Sequence, residues 1–342
     1  MSCRWAAVLA VGFVALEVVG RAPNIDFPRL PRTLAALVDD ATAGDPMATL
    51  RWTHASLRTL VGELRRKGIR VGRSTVQRLL RARRYSLRVN QKCIGGPHSP
   101  ERDAQFRRIH AWQRHFLHAG WPVLSIDTKK KEPVGLFKNV GRTYRRHPRR
   151  VRDHDFRRDA DGLAVPYGIY DVGRRSGFVV LGRSHDTAAF AVAALRAWWR
   201  AQGRRRCPHA RRWLLLADCG GGNGSRNAAW KVQLQRLADD LRVTITVLHY
   251  PAGASKWNPV EHRLFSRISE NWAGRPLISF PTMLQYIRGT RMASGRRCSA
   301  VMDPRHYPKG VKPTKEQRAA IKIYEHTTLP KWGYTIGPHH RN

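Results

Sequence analysis

Pro122-Val123-Leu124-Ser125-Ile126-Asp127 is an apolar run that stops at a carboxylate. Trp213-Leu214-Leu215-Leu216-Ala217-Asp218 repeats the pattern about ninety residues later. Short, continuously apolar runs of this kind predict strands buried on both faces. A third acid, Glu261, opens a helical stretch in Asn258-Pro259-Val260-Glu261-His262-Arg263-Leu264-Phe265. Asn258 suits a helix cap and Pro259 the first helical position. Two strand-end acids and one helix-borne acid can converge at one sheet edge. Three carboxylates there repel one another unless cations neutralise them. Oxygen ligands select hard cations, Mg²⁺ or Mn²⁺. Two such ions suit in-line displacement at a phosphate.

The elements around these runs are expected to build a mixed sheet covered by helices, an α/β fold of the RNase H-like kind. Val134–Asn139, Ala164–Tyr170, Gly177–Gly182 and Val243–Leu248 read as further strands. Asp186-Thr187 is expected to cap a helix running to Trp198-Trp199, and Asn227–Leu241 reads as another helix. Gly141 to Asp161 is basic and turn-rich, the pattern of a loop. The Glu261 helix is expected as the last element.

Composition names the partner. Of 342 residues, 63 are Lys or Arg and 24 are Asp or Glu, a net charge of +39. A chain this basic binds a polyanion, with nucleic acid the default. The five cysteines are scattered and form no zinc spacing, as expected of reduced thiols in the cytoplasm. Trp5 to Leu16 is apolar but too short to span a bilayer. Interrupted by Glu17 at its end, it reads as a buried helix or a non-native start of the reading frame.

Residues 30–90 read as a helical, helix-turn-helix-like region. Leu57, Leu60, Val61 and Leu64 have helical spacing, and Lys67–Gly72 breaks the helix. Ser74 is expected to cap a second helix that turns Val76, Leu79 and Leu80 inward. Its other face carries Gln77, Arg78, Arg81, Arg83 and Arg84, and Arg78, Arg81 and Arg84 are the expected duplex contacts. An ordinary basic helical hairpin would show the same pattern. Residues 91–120 read as a linker and a helix from Glu101 to Leu117, residues 121–300 as the catalytic domain, and residues 301–342 as an extension. The first 29 residues have no assignment.

Lys129-Lys130-Lys131 beside Asp127 suits metal and phosphate in one place, so Lys129 and Lys130 are expected nucleic-acid contacts. Gly220-Gly221-Gly222 after Asp218 can expose backbone N–H groups to a ligand, with the Asn223 amide beside them. Lys256 joins the polar crowd before Glu261.

Taken together, Ser125–Glu132, Pro166–Asp171, His185–Ala188, Ala217–Gly221 with Asn223, and Ser255–Asn258 through Glu261–Phe265 resemble the DDE transposases of bacterial insertion sequences. The resemblance is to the Rhodopirellula-type (ISAzo group) family, from about residue 30 to the C-terminus. That family usually has a serine where Gly222 stands, and two prolines and a threonine around Pro251–Ala254. The resemblance implies an RNase H-like domain with Asp127, Asp218 and Glu261 as a triad for two Mg²⁺ or Mn²⁺ ions. It implies metal-dependent DNA strand cleavage and strand transfer by a homo-oligomer acting on terminal repeats and target DNA, away from membranes. An RNase H-like nuclease or resolvase, or a catalytically inactive DNA-binding remnant, are the alternatives.

Overall fold

The computed structural model describes residues 29–40, 42–44, 51–53, 56–86, 101–254 and 257–339. The Trp5–Leu16 run, residues 87–100 (the end of the expected helical region and the first part of the expected linker) and Lys256 lie outside them. The chain divides into two compact units, within residues 1–93 and 94–342.

In the first unit, α1 (Arg29–Asp40), α2 (Leu57–Arg66) and α3 (Arg73–Ala82) enclose a small core of Leu30, Leu34, Leu60, Leu64, Ile69 and Val76. Two short strands not expected from the sequence, β1 (Thr42–Gly44) and β2 (Arg51–Thr53), pair antiparallel. Ser56 caps α2 by accepting from the Thr59 N–H at 3.1 Å. Ser74 does not cap α3: the N-cap is Gly72, with no side-chain bond, and the helix begins ahead of Ser74. Arg78 and Arg81 project into solvent from α3. Arg84 lies beyond the helix end at φ 64°. Arg83 turns back instead, donating to the Pro31 carbonyl at 2.8 Å.

The second unit is built on a nine-stranded sheet. After α4 (Arg102–His118) come β3 (Val123–Thr128), β4 (Glu132–Val134), β5 (Gly162–Asp171) and β6 (Ser176–Gly182). Next, α5 (Ala188–Trp198) passes through a π-helical turn into α6 (Arg204–Arg206), followed by β7 (Arg212–Ala217), α7 (Ala228–Leu241) and β8 (Thr244–His249). A π-helical turn at Glu261–Phe265 leads into α8 (Ser266–Trp272). Then follow α9 (Phe280–Gly289), β9 (Ser299–Asp303), α10 (Lys315–Ala319), β10 (Ile323–Glu325) and β11 (Gly333–Ile336).

The strand order is β10-β11-β8-β7-β3-β5-β6-β9, with β4 paired to β5. β3, β7 and β8 run parallel, while β5 is antiparallel to β3 and β6. Its five central strands thus have the RNase H-like order, with the first strand in the middle. Strand β7 is buried from Trp213 to Ala217 because both sheet faces are covered. Leu124 and Ile126 pack with Phe190 and Trp198 of α5 and Trp230 and Leu234 of α7. On the other face, α4 brings Ile109 and Phe116 onto Val123, Leu214 and Leu216. There too, Val260, Leu264, Phe265 and Ile268 join Met283 and Ile287 of α9 over Val179 and Leu181. Each such buried aliphatic side chain contributes about 1.5–3 kcal/mol.

Three expectations change. The strand expected at Val134–Asn139 ends at Val134, and the chain turns at Gly135 with φ 144°. The Glu261 helix is not the last element, because β9 pairs with β6 and β11 pairs with β8. Residues expected as an extension therefore supply strands to the sheet. No described helix is long and apolar enough to cross a membrane.

Candidate active site

Asp127 is the penultimate residue of β3, and Asp218 follows the last residue of β7. The parallel register sets Ser125 opposite Leu216, so two residues further on both acids leave the sheet level with each other. Side chains alternate along a strand, so Ser125 and Asp127 share the face that carries the Glu261 turn. Opposite Asp127 stands Gly168 of β5. A Cβ on Gly168 would lie 2.3 Å from Phe265 Cε1 and 3.0 Å from Val260 Cγ2, so glycine lets that turn rest on the sheet.

Asn258 ties the three elements together. It is fully buried; its Oδ1 accepts from Ser125 Oγ, and its Nδ2 donates to Asp218 Oδ1 at 3.1 Å and to the Ile126 carbonyl at 3.2 Å. Ser125 Oγ also accepts the Val260 N–H at 2.8 Å. The Asn258 side chain therefore does not act as the expected helix cap, because its amide faces the acids. Glu261, in the first turn, begins a π-helical stretch, a geometry frequent at functional sites.

Burial, the nearby Asp218 carboxylate and a hydrogen bond with the Glu261 carboxyl push the Asp127 carboxyl up to about 8. The Thr128 N–H, 2.7 Å from Asp127 Oδ1, works against that shift. Asp218 is raised by burial and by Glu261, while the Asn258 bond lowers it. Three acids at one edge thus share a field that disfavours three negative charges. Among the described residues no three His, Cys, Asp or Glu side chains form a ready-made ion cage. The set that does converge is an open edge with oxygen donors only, which fits a hard divalent cation that keeps several waters.

The surroundings are buried and polar. His249 Nδ1 donates to the Asp218 carbonyl at 2.9 Å, and burial lowers its imidazole to about 4, so it is neutral. Cys219 Sγ donates to the Tyr250 carbonyl at 2.7 Å, and burial raises its thiol to about 12, so it is protonated. Tyr167 is raised by burial and by the charges of Asp127 and Asp186. Asp186, expected to share in capping α5, leaves the cap to Thr187, which accepts from the Phe190 N–H at 3.3 Å. Asp186 instead accepts from Thr128 Oγ1 at 2.9 Å, which puts a fourth acid beside the residue that follows Asp127. Its only signal in the sequence is its place in the His185–Ala188 stretch, and it was not among the expected site residues.

Of the other expected site residues, Lys129 and Asn223 are buried and Lys130 is exposed. Lys129 is paired with Glu132 at 2.7 Å and set over the Trp272 ring at 4.7 Å, so its charge is met inside the protein and not on a surface for phosphate. Asn223 Oδ1 accepts from Tyr167 OH at 3.2 Å. His262 is exposed.

The chain is similar to solved structures of Mos1 transposase. With the "Mos1 transposase paired-end complex with left transposon end" it shares 17% identity, covering 80% of this chain and 73% of that one, at a TM-score of 0.43. With the "mariner Mos1 paired end complex with Mg" it shares 16%, covering 80% and 74%, at 0.42. No curated protein matches the chain. The family model described as "Rhodopirellula transposase DDE domain" matches residues 33–338, nearly the whole chain. The chain belongs to that family of transposases.

Proposed function

We propose that Asp127, Asp218 and Glu261 hold two divalent metal ions, Mg²⁺ or Mn²⁺, for cleavage and joining of DNA strands. The observation that carries this reading is the shared edge where Asp127 is pushed up to about 8 by burial and two other carboxyls. Two such ions, when bound, supply the charge that activates an oxygen nucleophile and stabilises the leaving oxygen in an in-line displacement at phosphorus.

The chain's own residues prepare that edge. Asn258 fixes one Asp218 oxygen and the Thr128 N–H fixes Asp127 Oδ1, which leaves the other oxygens for ligation. Asp127 carries its proton at neutral pH when no cation is present and must release it on loading. Buried His249, held neutral, adds no charge beside Asp218. The exposed arginines of α3 and the basic surface contact DNA phosphates, with α3 in the major groove. We place this activity in the cytoplasm, in a homo-oligomer assembled on the element ends.

The test is strand cleavage and joining on DNA carrying the element ends, in Mg²⁺ or Mn²⁺. Asp127→Asn, Asp218→Asn and Glu261→Gln should each lower the rate by roughly a hundredfold or more while duplex affinity persists. A Glu261→Gln protein that joins DNA at the wild-type rate would remove Glu261 from the set. Cleavage without joining would favour a nuclease.

A further inference from the structure

We propose that residues 138–158, between β4 and β5, form a rigidly based arginine lobe that grips the phosphates of DNA lying across the carboxylate edge. This rests on the transposase reading of that edge and adds a contact surface separate from α3. Arg142, Arg145, Arg146, Arg149 and Arg150 are all exposed. None of the five has an acidic partner among the described residues. Of the acids in and beside the segment, Asp159 lies 3.6 Å from Arg152 and 3.8 Å from Arg158, Asp153 lies 3.2 Å from His154, and exposed Asp155 forms no ion pair with any of the five arginines. The positive charge of the tip is therefore not neutralised within the described residues.

The base is anchored to the end of α8. Asn139 Nδ2 donates to the carbonyls of Trp272 at 3.1 Å and Arg275 at 3.2 Å. The Gly274 N–H donates to the Val140 carbonyl at 2.8 Å, and the Arg152 N–H to the Leu136 carbonyl at 2.9 Å. Gly141, at φ 114°, lies so close that a Cβ would sit 2.6 Å from Ala273 Cβ. The same Trp272 carries the Lys129 ammonium over its ring at 4.7 Å, two residues past Asp127. Lobe base and the exit of the catalytic strand thus meet on one residue, the base at the Trp272 carbonyl and Lys129 at its ring. An open cavity of about 420 Å³ beside the lobe is lined by Lys138, Arg145, Arg146, Arg149, Gly274 and Pro276.

An anchored base lowers the ordering cost of binding. Guanidinium forks match phosphate oxygens. Each phosphate neutralised releases condensed counterions, so the lobe is readable as a salt dependence.

The experiment measures duplex binding by the full-length chain across a salt series, alongside joining in Mg²⁺. Replacing Arg145, Arg146, Arg149 and Arg150 by Ala should lower the log–log salt slope by about 2–4 units and weaken binding about 10- to 1000-fold at 0.15 M salt. Joining should fall with it. The matching Arg→Lys protein keeps the charges and should keep the slope, which separates charge loss from misfolding. Asp127→Asn should also keep it. An Ala variant with unchanged slope, from a wild-type protein that cuts DNA, would overturn the lobe proposal alone. So would an Ala variant that loses only self-association, which would make the lobe a contact between copies. A wild-type chain that neither binds nor cuts DNA would overturn this proposal and the reading beneath it.

Discussion

Ser125 on β3 donates its hydroxyl hydrogen to Asn258 Oδ1, and Asn258 passes the contact on to Asp218 through Nδ2. Because Ser125 Oγ also receives the Val260 N–H, one hydroxyl sets the distance between the strand of Asp127 and the turn of Glu261. The three acids are thereby positioned by two uncharged buried side chains.

Asn258→Ala should therefore disable the site without touching an acid. It leaves Ser125 and the Ile126 carbonyl unsatisfied in a dry interior, at a cost of about 1–3 kcal/mol. Denaturant unfolding should show that loss, and strand joining should fall at least about tenfold at temperatures where the variant is folded. Wild-type joining by a folded Asn258→Ala protein would show that the link is dispensable.

The raised Asp127 carboxyl gives the metal-free protein a pH signature. Its folded value of about 8 lies above the ordinary 3.8 of an aspartate in the unfolded chain. The folded state thus holds a proton that the unfolded state has released, and stability present at pH 4 is lost as pH rises through about 8. In a chelator, the melting temperature should fall between pH 6 and 9, and Asp127→Asn should flatten that fall. Saturating Mg²⁺ should raise the melting temperature more at pH 8.5 than at pH 6.5, with proton release on binding. A chelated protein whose melting temperature rises across that range contradicts the assignment.

Gly168→Ala tests the seat of the Glu261 turn. The new methyl group would occupy space now held by Phe265 and Val260. Overpacking of this kind costs about 1–3 kcal/mol and displaces the turn. Joining should drop, and the double variant Gly168→Ala with Phe265→Leu should recover part of it. Equal activity in the single variant and the wild type would mean that the turn shifts without consequence.

In the N-terminal unit, Arg78 and Arg81 should behave differently from Arg83. Arg78→Ala with Arg81→Ala should lower the salt slope of duplex binding by about one unit for each phosphate no longer neutralised. Arg83→Ala removes the bond to the Pro31 carbonyl and should lower the stability of the helical unit, with little change in slope. The reverse pattern would place Arg83 on the DNA.

Much of this architecture was legible in local chemistry. Continuous apolar runs at Val123–Ile126 and Trp213–Ala217 mark interior strands because only residues covered on both faces can be apolar at every position. Thr187 lies where a helix cap was expected, though it rather than Asp186 supplies the side-chain oxygen, and the helix expected from Asn227 begins at Ala228 with Asn227 as its cap. The excess of arginine pointed to a polyanion without any structure. Short strands such as β1, β2, β10 and β11 were not legible, since three or four residues carry too little periodicity to register.

Linear order was enough to say which acids end buried strands, which helices are amphipathic, and that the chain carries a large positive charge. The roles of the polar side chains near those acids came only with the packed sheet. Asn258 and Asp186 sit at positions where local preference favours caps, yet both turn toward partners at least forty residues away in the chain, Ser125 with Asp218 and Thr128. Lys129, beside an acid in sequence, pairs instead with Glu132 against the Trp272 ring. The physical reason is that caps and strands depend on neighbours along the chain, whereas a buried polar group takes whichever partner the packed sheet brings within hydrogen-bond reach.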